Sequence, residues 1–287
     1  MPTQTSIKRI IASISKIRKI SSALEIVALT RLKRMEQATV ASRDYFQRVH
    51  QLLFDVSNNL NFRIHPFLNL RPNAKKICLI ALFSDKGLCG NFNADIASKY
   101  REFVDKNKGK QIQVIVVGKK GERYIKKYHN SKIVDIYSSM SSETLTEGVG
   151  RIGQFLIKGF LSGGFDEVFL LYSKFKLQLL GHANLLKLLP FSIDEKESKS
   201  IKRDYIYDSS PEAIFTALVR HYVANQVHQG ILESRCAEEM SRMLAMKAAT
   251  ENSDEMIEKL RLVFNKNRQA QITKELTEVI SAVEAAG

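Results

Sequence analysis

The residues of this 287-residue chain with the most scope for chemistry lie in one loop, Ser84-Asp85-Lys86-Gly87-Leu88-Cys89-Gly90-Asn91-Phe92-Asn93. It follows an apolar run and precedes a helix-forming stretch. Glycines placed there can cradle a phosphate with backbone N–H groups. The spacing matches neither G-x-G-x-x-G nor G-x-x-x-x-G-K-[S/T], so the pattern supports a tight turn needing glycine backbone freedom over a nucleotide site. Cys89 sits in this turn with no evident basic partner to make it a nucleophile. The six histidines, His50, His65, His129, His182, His221 and His228, offer only one regular spacing, the i, i+7 pair on the last arm, where packing or solvent is the expected role. Three scattered cysteines form no C-x-x-C pair, and no G-x-S-x-G or H-E-x-x-H pattern occurs. The residues therefore predict no catalytic centre, no cofactor and no metal site.

A formal charge of +14 and a pI near 9.6 predict acidic partners: nucleic acid, an anionic membrane surface or an acidic protein face. The clusters Lys16-Arg18-Lys19 and Arg31-Lys33-Arg34 belong to this excess, although a solvated helix face is their simplest reading. Interleaved aromatics typical of single-strand binding are missing there. Hydrophobic content of 44% fits a folded globular chain. The longest uncharged run, His221 to Leu232, is too short and too polar to span a bilayer, and the first residues lack a signal peptide's apolar stretch.

Glycine and proline divide the chain into three zones. Thr3 to His65 contains neither, and twelve of the fourteen glycines fall between Gly87 and Gly181. Two glycine-poor arms thus flank a turn-rich middle. In the first arm, Ile7, Ile14, Ser21, Ala28, Met35, Ser42, Val49 and Val56 form one heptad column. A second column is Ile10, Ile17, Leu24, Arg31, Ala38, Tyr45 and Leu52. This repeat predicts a left-handed coiled coil. The last arm opens with a Ser209 or Ser210 cap and Pro211 in the first turn. Its apolar stripe runs through Phe215, Leu218, Tyr222, Leu232, Cys236, Met243, Met246, Ile257, Leu260 and Phe264, then drifts to Ile272, Leu276, Val279 and Val283. The arms are expected to pair antiparallel, with Gly230 marking their close approach. The middle alternates strand and helix patterns, and predicts a parallel or mixed sheet with crossover helices. The expected divisions are residues 1–58 (first coiled-coil helix), 59–73 (linker), 74–208 (α/β domain) and 209–287 (second coiled-coil helix).

Three stretches, in order along the chain, resemble the gamma subunit of F-type rotary ATP synthases. The most specific is MLAMKAATENSDEMIEKLRLVFNKNRQAQITKELTEVISAVEAA, and SDKGLCGNFN and IKRIIASISKIRKISSALEIVA are similar to two further family segments. The resemblance implies an α/β protein in which a long antiparallel coiled coil of N- and C-terminal helices carries a Rossmann-like foot. It implies a non-catalytic central shaft, without a cofactor, coupling rotation of an ion-driven c-ring to conformational cycling of beta. The implied partners are alpha, beta, epsilon and the c-ring, with no nucleic acid, at the cytoplasmic face of a bacterial inner membrane. The implied beta contacts are Asp85, Lys86, Gly87, Leu88, Cys89, Gly90, Arg242, Lys247, Arg268, Gln269, Thr273 and Glu275, and Tyr205 and Tyr207 would face epsilon and the ring. Departures are Ser22-Ala23-Leu24-Glu25-Ile26 in the first arm, Lys86 where the family has Arg, and Asn91 where it has Gly. Two rival readings are a nucleotide-using α/β enzyme with helical arms and a basic scaffold for nucleic acid.

Overall fold

A computed structural model describes residues 4–57, 65–68, 71, 74–128, 131–140, 142–176, 179–191 and 210–286. Tyr205 and Tyr207, and most of the expected linker, lie outside the described residues. Helix α1 (Gln4–Ser57) and helix α5 (Pro211–Ala286) bracket five strands and three shorter helices. The described chain divides into two compact units, Met1–Leu29 with Arg242–Gly287, and Thr30–Ser241.

Strands β1 (Lys76–Leu82), β2 (Gln111–Val117), β3 (Lys132–Tyr137), β4 (Glu167–Lys176) and β5 (Leu179–Leu189) form one sheet in the order β3-β2-β1-β4-β5. The first four are parallel, and β5 runs antiparallel to β4. Helices α2 (Phe92–Lys106), α3 (Lys119–Tyr128) and α4 (Ser142–Leu161) are the crossovers. β1 is buried on both faces, which explains its unbroken apolar sequence. Ile77, Leu79 and Ala81 pack with α2 residues Ile96, Tyr100 and Phe103. Cys78, Ile80 and Leu82 face a larger core that takes in Leu53 and Val56 of α1, Ile152, Leu156 and Phe160 of α4, and Phe215, Val219 and Val223 of α5. Strand β5 was not anticipated: its run LLGHANLLKLL lacks clean alternation and carries Gly181 and Asn184.

Within the unit Met1–Leu29 with Arg242–Gly287, α1 and α5 run antiparallel. Gln4 Nε2 donates to Gln271 Oε1 at 2.8 Å, Lys8 Nζ lies 5.3 Å from the Phe264 ring centroid, and Arg18 pairs with Asp254. Within the unit Thr30–Ser241, Arg31 approaches Glu239 at 3.7 Å, Thr39 approaches Cys236, and Ser42 Oγ donates to Gln229 Oε1 at 3.1 Å. In both, the partner's number falls as the α1 number rises.

The first heptad column faces inward: Ile7, Ser21, Ala28, Val49 and Val56 are buried. The expected second column is displaced by one residue. Ile10, Ile17, Tyr45 and Leu52 are exposed, at 42%, 55%, 56% and 40%. The more buried positions lie four residues after Ile7, Ile14, Ser21, Ala28, Met35, Ser42 and Val49: Leu32, Thr39 and Leu53 are buried, and Ile11, Arg18, Glu25 and Phe46 are half-buried, as is Leu24 of the expected column. Three of these are polar, so a search for apolar residues selects the wrong neighbour. Arg18 reaches Asp254, and Thr39 Oγ1 donates to Met35 O at 2.8 Å while lying 3.4 Å from Cys236 Sγ. The hydrogen bond of Thr39 removes most of its burial cost, while the Arg18 side chain stays 43% exposed.

On α5, Ser210 Oγ accepts the Ala213 N–H at 3.3 Å and Pro211 opens the first turn. The stripe holds through Phe215, Tyr222, Leu232, Cys236, Met246 and Ile257, all buried. Gly230 has a different cause from the one expected. A Cβ there would lie 2.7 Å from Leu170 Cδ2 and 3.6 Å from Leu82 Cδ1. The sheet, not the opposite arm, requires the glycine.

Candidate functional site

The glycine loop leaves the carboxyl end of β1 and enters α2. Its interior is a small hydrogen-bond cluster. Asn93 Oδ1 accepts the Ser84 N–H at 3.1 Å, Asn93 Nδ2 donates to Ser84 Oγ at 2.7 Å, and Ser84 Oγ lies 2.7 Å from Lys86 O. Cys89 is 3% exposed and packs with Phe92 and Ala237, and its carbonyl accepts from Ser241 Oγ at 2.6 Å. Asp85 is turned toward the body of the domain. Its carboxylate accepts the N–H groups of Lys119 at 3.1 Å and Ser139 at 2.9 Å, tying the loop to the start of α3 and to the segment after β3.

These anchors push the remaining residues outward. Leu88 is 64% exposed with φ of 60°, and Gly90 follows with φ of 53°. A non-glycine residue in the left-handed region costs about 1–2 kcal/mol, and an exposed leucine regains nothing from packing within the chain. Lys86 is exposed, and Lys120 of α3 stands against the loop, its Nζ 3.8 Å from where a Gly87 Cβ would be. The loop thus presents one leucine beside two ammonium groups. Lys120 was not singled out from the sequence, because it lies thirty-odd residues away on another element.

Replacing Asp85 by Ala is expected to destabilise the chain by about 1–3 kcal/mol, through two N–H groups deprived of a charged acceptor. Hydrogen exchange at the Lys119 and Ser139 amides should speed up with it. Unchanged protection at both would mean that Asp85 does not anchor the loop.

The cavity outside the carboxyl ends of β1, β2 and β3 is about 40 Å³, lined by Phe83, Asp85, Tyr137, Ser139, Ile231 and Arg235. That is room for about one water molecule, whereas small-molecule sites run to roughly 300–1,000 Å³. Helix α5 fills the place where a doubly wound fold holds a nucleotide. Cys78 is fully buried, and burial pushes its thiol up to about 12. Burial holds His65 and His228 below the usual imidazole range, with Arg235 adding to the effect at His228 and Glu212 opposing it at His65. His65 packs edge-to-face against Phe215 and its Nε2 lies 3.2 Å from Thr216 Oγ1, which is a packing role. Among the described residues no three His, Cys, Asp or Glu side chains converge as a metal site, and no helix is long and apolar enough to cross a membrane.

The other predicted contact residues all lie on α5, in the unit that contains residues 242–287. Arg242 is buried, and Lys247 is exposed 4.0 Å from Glu251. Every residue from Arg268 to Val283 is exposed. Thr273 Oγ1 donates to Gln269 O at 3.0 Å, and Glu275 Oε1 accepts from Gln271 at 2.9 Å. Arg268 and Gln269 are turned to solvent. In the same stretch Ile272, Leu276, Val279, Ile280 and Val283 are 47–68% exposed.

The sequence profile of the family described as ATP synthase matches residues 3–286. The ATP synthase gamma chain of Fusobacterium nucleatum is 32% identical over 285 residues, covering 99% of this chain and all of that one. The chain belongs to the ATP synthase gamma chain family. Another gamma chain, from Trichlorobacter lovleyi, is 33% identical over 288 residues, with 99% of both chains covered. The fold of this gamma-family chain also matches solved structures. A chain of the Euglena gracilis mitochondrial ATP synthase, in an assembly of OSCP, F1 and c-ring, superposes with a TM-score of 0.67 at 14% identity, covering 98% of this chain and 94% of that one. A chain of the Tetrahymena thermophila central stalk and c-ring gives 0.61 at 21% identity, covering 80% and 99%.

Proposed function

We propose that the chain is the non-catalytic central shaft of a rotary ATP synthase, coupling rotation of an ion-driven c-ring to the conformational cycle of beta. The observation that carries this reading is the exposed end of α5. Five large apolar side chains alternate there with Arg268, Gln269, Thr273 and Glu275 around more than four helical turns. Ile272, Leu276, Val279, Ile280 and Val283 fall at i, i+4, i+7, i+8 and i+11, one apolar stripe that the chain itself leaves uncovered, and such an open face calls for a surrounding sleeve of protein. Alpha and beta supply that sleeve, and epsilon and the c-ring meet the foot, at the cytoplasmic face of a bacterial inner membrane.

At the loop, Leu88, Lys86 and Lys120 suit an acidic segment of beta with an apolar recess. Asp85 and Cys89 act from inside by setting the loop's shape. Arg268 and Gln269 can form charge-assisted and neutral hydrogen bonds to the sleeve, worth on the order of 1.5–3 kcal/mol and 0.5–1.5 kcal/mol each when well formed.

The isolated chain is expected to hydrolyse no ATP, and turnover should appear when alpha and beta are added. Arg268→Ala should lower ATP synthesis per assembled complex by about tenfold while the isolated chain keeps its helicity. Robust hydrolysis by the chain alone, or full synthesis by the variant, would contradict the proposal.

A further inference from the structure

The unit Thr30–Ser241 carries a second surface, on the outer side of α4 and α5. The two helices come nearly into contact where a Cβ on Gly153 would lie 3.4 Å from Ala224 Cβ. Around that point they leave a trough of about 510 Å³. Ile157 forms its floor and Leu161, 45% exposed, one wall. Lys158 of α4 and Arg220 and His221 of α5 stand along the rim, all exposed. No Asp or Glu lines the trough, and among the described residues neither Lys158 nor Arg220 has a carboxylate partner. The acids elsewhere on α4 do not neutralise it, since Glu147 is directed to Arg151 at 3.6 Å.

We propose that this trough is a docking site for an acidic amphipathic helix of a partner subunit. A channel between two helices accepts a third helix that lays its apolar face on the floor. Gly150, whose Cβ position has nothing within 4 Å, leaves space for a backbone to approach. Carboxylates flanking the apolar side chains would meet Lys158 and Arg220, and such complementary pairs set register and exclude wrong partners. The charge selects the occupant. A second copy of this chain, at +14, would bring like charge to a basic rim. Nucleic acid would leave the Ile157 and Leu161 surface unsatisfied. The trough lies on elements separate from the glycine loop and the upper part of α5, so the proposal adds a contact to the shaft reading and does not replace one.

The test uses the complete ATP synthase containing this chain, with a photo-reactive benzoylphenylalanine at Gln154. Irradiation should cross-link another subunit at a helical segment where Asp or Glu flank apolar residues. Lys158→Glu combined with Arg220→Glu should lower that yield at least about tenfold, and reversing the partner's acids should restore it. Leu161→Ser, at an exposed position that does not threaten the fold, should also weaken the cross-link. Cross-links confined to this chain, cross-links to lipid or nucleic acid, or a yield unmoved by charge reversal would overturn the proposal. Because subunit rotation is measured independently of the trough, such a result would leave the shaft reading standing.

Discussion

Ala28→Asp is expected to destabilise the isolated chain by about 3–5 kcal/mol, whereas Ile17→Asp changes its stability by no more than about 0.5 kcal/mol. Apolarity alone would predict the opposite order. Ala28 is 1% exposed in the inward column of α1, and a carboxylate there has neither water nor a designated partner. Ile17 is 55% exposed, one residue from the inward Arg18. Denaturant unfolding followed by circular dichroism measures both. In the assembled enzyme Ile17→Asp is expected to lower ATP synthesis, because Ile10, Ile17, Ile20 and Val27 form an apolar face that the chain itself leaves open. Equal destabilisation by the two substitutions would contradict the register.

Gly118→Val should be the most damaging single change near the loop, at about 3 kcal/mol or more. Gly118 has φ of +99°, and a Cβ there would lie 2.2 Å from the carbonyl oxygen of Phe83 and 2.9 Å from that of Ser84. Both neighbours are backbone and cannot swing away. The glycine also donates its N–H to Tyr137 O at 2.8 Å, so it joins β2 to the segments that support the loop. Relief of the clash must displace Phe83 and Ser84, and Leu88 with them. Loss of thermal stability accompanied by loss of coupled ATP synthesis is expected. A variant with wild-type stability would show that the junction yields more easily than its geometry implies.

Much of this architecture was legible from glycine and proline placement. A 54-residue segment with neither became a single helix, and six of the twelve glycines in the middle fell at turns of the α/β domain, the other six lying inside α3, α4 and β5. The first heptad column was legible because its members are small or apolar. The second was not, since Arg18 and Thr39 occupy inward positions by virtue of partners on α5 that the sequence cannot display. Gly230 illustrates the same limit: a helix glycine announces close approach without saying to what. At the loop, the sequence singled out ten residues but not their division of labour. Asp85 turns inward to two amides, Leu88 turns outward in a left-handed conformation, and Lys120 arrives from α3. Each depends on the fold bringing together residues distant along the chain.

The central claim is mechanical, so rotation tests it most directly. Lys108, whose side chain is 78% exposed in the turn after α2, can be replaced by Cys to carry a bead, because Cys78, Cys89 and Cys236 are all buried. With the catalytic subunits fixed to a surface, adding ATP should drive continuous rotation of the bead in one direction. A bead that stays still while the complex hydrolyses ATP at its normal rate would contradict the account.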